Sequence, residues 1–147
     1  MLKTVQRAVY FTGQYEMPVN EIREQTRPLA QKVAVAAVKN AKLDIVGPLT
    51  LFLPDWRQPT FGDITLELGY PVTGSGQNLA RYQKQMKDDF QCLTVTREAG
   101  SDSQDAWAEL YRIAEENSLT ATGDNRTVVS RNGSGYQIEL QLGVRRK

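Results

Sequence analysis

Two glutamates stand where a carboxylate is expensive to keep. Glu139 lies in YQIELQL between Ile138 and Leu140, and Glu67 lies in LELGYPV between Leu66 and Leu68. Strand alternation puts Tyr136, Ile138, Leu140 and Leu142 on one face and turns Glu139 to the other with Gln137 and Gln141. Glu67 repeats that arrangement, with Ile64, Leu66 and Leu68 on the covered face. A carboxylate in a partly dry site complements positive charge, and left there alone it is costly. On the open face of a sheet it is an ordinary solvated side chain. Aromatic residues are the other candidates. Trp107 and Tyr111 are four apart in a helical stretch, a spacing that sets both rings on one face, as core or as pocket wall. Trp56 and Phe61 fall in a turn-rich loop, where they can form the lip of a pocket or cover a sheet edge. Tyr10, Phe52 and Tyr70 lie on strands, Tyr70 beside Pro71.

Several chemistries are excluded at the outset. The 147 residues contain no histidine, which removes the commonest general base, the commonest zinc ligand and every Ser-His or Cys-His pair. One cysteine, Cys92, makes no internal disulfide and no cysteine metal cluster, and it reads as a small buried apolar residue. With 18 basic and 17 acidic side chains, the net charge of +1 gives no broad basic face for phosphate backbone, so direct nucleic-acid binding is not expected. There is no apolar run of membrane-spanning length, and the cysteine usage fits a reducing cytoplasm. Forty per cent hydrophobic residues in a chain of this length suit one domain, residues 1–147, around one core.

The elements that must hold those residues are readable from periodicity. Residues 4–12 read as a strand. Val19, Ile22, Leu29, Val33, Ala36 and Ala37 recur at helical spacing up to about Lys42, with Pro28 either in a first turn capped by Thr26 or kinking a longer helix. Strands follow at 49–53 and 64–72, then a turn-rich loop at 73–78 and a polar stretch at 79–89. Residues 90–96 read as a strand, and Asp102 or Ser103 can cap a helix carrying Ala106, Trp107, Leu110, Ile113 and Ala114 and ending near Asn117. Strands at 126–131 and 136–144 flank Asn132-Gly133, a hairpin signal. The C-terminal Arg145-Arg146-Lys147 reads as a frayed, solvated end. The order β-α-β-β occurs twice, and LELGYPV aligns with IELQLGV so that Glu67 and Glu139 are equivalent. An α+β fold of two β-α-β-β units with pseudo-two-fold symmetry follows: an antiparallel sheet, both helices on one face, and a cleft at the other face or at the seam.

This order and four local motifs resemble the gyrase-inhibitor-like small-molecule-binding domain, which also serves as the effector-binding domain of AraC-class and MerR-class multidrug regulators. The motifs are Gly47-Pro48 opening a strand, LELGYPV, AWAELYRIAEENSL, and Gly123 leading through RTVV to the terminal IELQLGV. The sequence departs from the family at Glu98-Ala99-Gly100, where Gly-Pro-Tyr is common, and at Thr127, where an acidic residue commonly follows the strand arginine. The resemblance implies a pocket between the halves for bulky, aromatic, often cationic molecules, with carboxylates facing the ligand's charge and no cofactor or metal. Glu139, Glu67, Trp56, Phe61, Trp107, Tyr111, Tyr10, Phe52 and Tyr70 are the corresponding candidates here, aromatic faces adding about 0.5–2 kcal/mol of cation–π attraction per contact.

Sequestration of a hydrophobic cation, or sensing through a partner DNA-binding protein, is the leading expectation. The alternatives are a hydrolase of electrophilic small molecules, with Glu139 or Glu67 positioning a water as general base, and a protein–protein inhibitor of gyrase. No helix-turn-helix segment is seen ahead of the domain, so gene regulation by this stretch alone is not expected.

Overall fold

The computed structural model describes residues 2–57, 62–76, 79–98, 104–133 and 135–147. Within them the chain runs β1 (Leu2–Val5), β2 (Ala8–Pro18), α1 (Ile22–Val35), β3 (Asp44–Ile45), β4 (Leu49–Leu53), β5 (Asp63–Thr73), β6 (Tyr82–Lys87), β7 (Phe90–Glu98), α2 (Gln104–Glu116), β8 (Leu119–Asn132) and β9 (Gly135–Arg146). The strands hydrogen-bond antiparallel in the order β1-β7-β9-β8-β4-β5-β2-β6, and the short β3 adds to β5.

That order is palindromic. The first half (β2, α1, β4, β5) and the second (β7, α2, β8, β9) lay their strands outward in the same sequence from the central β4–β8 pair. Each half also lends a leading strand to its counterpart: β1 precedes β2 yet pairs with β7, and β6 precedes β7 yet pairs with β2. The duplicated units and the antiparallel sheet are thus as the sequence implies, with two lent strands beyond them. β6 escapes periodicity because its polar YQKQMK is an edge strand, where charge discourages pairing with other chains.

Both helices lie on one face. In α1, Leu29, Ala30 and Val33 pack with Ala36 and Ala37 of a following π-helical turn onto Phe11, Leu66 and Leu68. In α2, Ala106, Trp107, Leu110 and Ala114 pack onto Leu93, Leu140, Leu142 and Val144. Pro28 lies well inside α1, so the longer-helix reading holds. Thr26 Oγ1 donates back to the Ile22 carbonyl at 2.6 Å and caps nothing. Asp102 and Ser103 lie outside the described residues. The α2 end is closed by Asn117 Nδ2 donating to the Ile113 carbonyl and by Ser118 in a left-handed conformation, φ 56°. Asn132 opposes Gly135 and Gly133 has φ 65°, so the hairpin turns one residue later than an Asn-Gly centre would place it. The C-terminal arginines are not frayed: Arg145 and Arg146 pair with Thr120 and Leu119. Among the described residues no helix is long and apolar enough to cross a membrane.

The face away from the helices is also filled. Thr12, Thr50, Cys92, Arg126 and Gln141 are buried there with no helix over them, so the sheet must bend around its own side chains. Glycines permit the bend. A Cβ at Gly69 would meet the Phe11 carbonyl oxygen at 2.0 Å and Thr12 Cα at 2.7 Å. At Gly143 it would meet the Asp124 carbonyl oxygen at 2.5 Å and the Phe90 ring at 2.8 Å. Because the Gly69 neighbours are backbone atoms of a paired strand, Gly69→Ala should cost at least about 2 kcal/mol, more than an ordinary overpacked core site. Urea denaturation of the variant checks this, and an unchanged midpoint would show that β2 and β5 have room to part.

Candidate ligand-binding cavity

The helices cover the outer strands and leave the middle open. α1 packs on β2 and β5, and α2 packs on β7, β9 and β8. Between them the central strands β4 and β8 turn Leu49, Leu51, Leu53, Thr127 and Val129 into a cleft of about 1400 Å³. That exceeds the ~300–1,000 Å³ usual for a small-molecule site.

Each helix lines the cleft with a stripe at helical spacing. The first comes from α1 and the turn before it: Val19, Ile22, Arg23, Thr26, Arg27 and Ala30. The second, on α2, is Gln104, Trp107, Ala108 and Tyr111. Trp56, Arg57 and Tyr70 line it from the loop after β4 and from β5, and Arg131 and Tyr136 from the β8–β9 hairpin.

Trp107 is core and wall together, almost fully buried on Leu140 and Leu142 while bordering the cleft. Tyr111 is held from two sides. Its hydroxyl donates to Asp55 Oδ1 at 3.2 Å and accepts from Asn125 Nδ2 at 3.1 Å. Asn125 Nδ2 also donates to the Pro54 carbonyl at 3.0 Å. A register shift in β8 between Ala121 and Asn125 delivers that side chain, and Gly123 sits at φ 89° within it. Burial raises the Tyr111 pKa, so the phenol stays a neutral donor. Asp55 is gripped by Arg57, Nη2 to Oδ2 at 2.7 Å and Nε to Oδ1 at 3.0 Å. The Arg57 hydrogen bond, joined by that of Tyr111, holds the Asp55 carboxyl below its ordinary value although burial opposes this. Trp56 is set against this staple with its indole Nε1–H buried and without an acceptor.

The carboxylates singled out from the sequence lie elsewhere. Glu67 and Glu139 turn away from the helices, as alternation requires, but the large cleft is on the helix side and neither lines it. Glu67 Oε1 pairs with Lys87 Nζ at 3.1 Å, and its Oε2 accepts from Thr12 Oγ1 at 2.7 Å. Glu139 Oε2 pairs with Lys3 Nζ at 3.0 Å and accepts from Gln141 Nε2 at 2.6 Å. Tyr10 and Phe52 are on that same face, ring edge to ring face at 5.3 Å, and do not line the cleft. Beside them Arg126, only 4% exposed, is sandwiched over Phe52 and Phe90 and paired with Asp124 at 3.0 Å. Trp56, Trp107, Tyr111 and Tyr70 are therefore brought together at the cleft, whereas Glu139, Glu67, Tyr10 and Phe52 gather behind it. Phe61 lies outside the described residues. Thr127, where the family commonly has an acid, is on the cleft floor. The arginines were missed in the sequence, although Arg23 and Arg27 fall on the Val19–Ile22–Thr26–Ala30 stripe, a second face of α1 beside its core face.

No family model and no curated protein matches the sequence. Solved structures do match. The EcmrR C-terminal domain superposes with a TM-score of 0.81 at 17% identity, over 100% of this chain and 97% of that one. The chain spans 57% of EcmrR as seen in its complex with DNA. SAV2435 bound to tetraphenylphosphonium matches with a TM-score of 0.57 at 14% identity, over 99% and 93% of the two chains. An uncharacterized conserved protein from Listeria innocua gives 0.63 at 11%, over 98% and 92%. At these identities the likeness is one of fold. The chain has the gyrase-inhibitor-like fold that its motifs imply.

Three measurements check this geometry. Tyr111→Phe should cost about 1–3 kcal/mol, since Asp55 and buried Asn125 each lose a partner, and thermal unfolding reads it. Asp55 has its ordinary value in the unfolded chain and a lower one when folded. Its contribution is thus complete above the ordinary aspartate range and lost as the pH falls through the lowered folded value. Asp55→Asn should therefore be the less stable at neutral pH, with the difference closing in acid; a pH-independent gap would contradict the ion pair. Cys92 is fully buried, and burial followed by the Glu139 charge pushes its thiol up to about 11. An aromatic disulfide reagent should label it only at the rate of unfolding, and immediate labelling would show an open path to it.

Proposed function

We propose that this chain binds a bulky, mainly aromatic small molecule in the cleft between α1 and α2, to sequester it or to report it to a partner that carries DNA-binding elements. The observation that carries this is the cleft itself: Trp56, Tyr70, Trp107 and Tyr111 converge on a large, mostly apolar hollow floored by Leu49, Leu51 and Leu53. Support for a ligand-responsive role comes from the fold shared with the EcmrR domain, seen elsewhere in complex with DNA, and with SAV2435, seen with tetraphenylphosphonium bound.

A second reading places the ligand on the opposite face and makes it a hydrophobic cation. It is favoured by Glu67, Glu139, Tyr10 and Phe52 sharing that face. Against it, each glutamate already has a lysine, and Lys87 stands 4.6 Å over the Phe52 ring where a ligand cation would sit.

Quenching of tryptophan emission by a panel of polycyclic aromatic compounds tests both readings. Binding in the cleft predicts saturable quenching, weakened about tenfold or more by Trp56→Ala or Tyr70→Ala, each of which removes a ring of contact area. Glu139→Gln and Glu67→Gln should leave it unchanged. The reverse pattern, glutamate variants losing affinity while Trp56→Ala does not, would move the site to the other face.

A further inference from the structure

We infer that the cleft selects an aromatic anion, its rings in the apolar hollow and its acidic head between Arg27 of α1 and Arg131 of β8. The inference rests on the cleft reading above and adds the charge of the ligand. Four arginines line the cleft, Arg23, Arg27, Arg57 and Arg131, and among the described residues no aspartate or glutamate does. Asp55 neutralises Arg57 just outside the lining. Among the described residues Arg27 and Arg131 have no carboxylate partner within ion-pair distance, and both are exposed.

These two side chains reach the cleft from different elements, Arg27 from α1 and Arg131 from the β8–β9 hairpin. The Arg131 guanidinium stands 5.6 Å over the Tyr136 ring. Arg27, Arg131 and Tyr136 all line the same cleft. A planar fork of donors on each arginine matches a carboxylate or sulfonate in a way that an ammonium head cannot use. The interior agrees in sign. Trp56, with its buried N–H lacking an acceptor among the described residues, lines the same cleft and adds a donor to those of the arginines. A cationic head would meet two like charges and no counter-ion. Glu67 and Glu139 are on the other face, held by Lys87 and Lys3.

The test uses one ring system with three heads: 1-pyrenebutyrate, 1-pyrenebutanol, and the corresponding pyrenylbutyl trimethylammonium ion, each followed by pyrene emission at low salt. The neutral alcohol reports the hollow alone. The carboxylate is expected to bind at least about tenfold tighter than the alcohol, and the ammonium no tighter than the alcohol. The double substitution Arg27→Gln, Arg131→Gln should bring the carboxylate down to the alcohol's affinity and leave the alcohol where it was. Both residues are exposed, so folding should survive, and a thermal melt of the variant verifies it. Raising the salt should shrink the carboxylate advantage. An ammonium ion that binds as tightly as the carboxylate, or a carboxylate preference that survives the double substitution, overturns the inference while leaving the cleft reading intact. If the alcohol fails to bind, or binds equally well to Trp56→Ala, the cleft reading fails and the inference falls with it.

Discussion

The pairing of β4 with β8 is the constraint from which the rest of the molecule follows. Five residue pairs, from Leu49 opposite Val129 to Leu53 opposite Asn125, join the two halves into one sheet across the pseudo-two-fold axis. A helix in a β-α-β-β unit packs over the strands of its own unit, so two such units joined edge to edge hold their helices apart. The side chains that the central strands turn toward the helices then have no cover of their own. In a filled core that would be a defect; here it makes a hollow whose floor is rigid, because both strands beneath it are paired on both edges. Position on a continuous ladder, with loops only at the rim, is what fixes the floor geometry.

The opposite face shows how a sheet without helices over it can still be dry. Glycine at positions 69 and 143 lets strands approach and bend, and the space inside is filled by residues that compensate one another: Arg126 between two phenyl rings with Asp124, Glu67 with Lys87 and Thr12, Glu139 with Lys3 and Gln141. Where a member is buried, as Arg126 is, removing its partner leaves a charge uncompensated, which costs more than the pair contributes. The lent strands matter to this arrangement. Lys3 is on β1 and Lys87 on β6, so each glutamate of one half is answered by a lysine from the leading strand of the other.

Period and spacing were enough to read the duplicated units, the helix faces and the orientation of both glutamates, because each of these depends on residues close in the chain. The location of the hollow was not readable in that way. Alternation says that Glu139 points away from Leu140; it does not say on which side of the sheet space is left, since that depends on how far apart two helices are held. The two leading strands were missed for a related reason. Their partners are some ninety and eighty residues away, Lys3 opposite Cys92 and Lys87 opposite Ala8, and their short sequences carry little apolar alternation.

Symmetry of the backbone does not extend to the chemistry of the walls. α2 presents Trp107 and Tyr111, and α1 presents Arg23, Arg27, Thr26 and Ala30 at the equivalent place. If both walls had been aromatic, the cleft could have closed on itself with ring against ring and no room for a guest. Guanidinium groups on one wall resist that collapse, because burying them against an aromatic face without a counter-charge carries a desolvation cost. The charged wall thus adds to what the strand geometry already does, and the aromatic wall is held firm because Tyr111 is tied to Asp55 and Asn125. A duplicated scaffold thus carries one apolar, anchored side and one cationic, solvated side, a difference made by side chains alone.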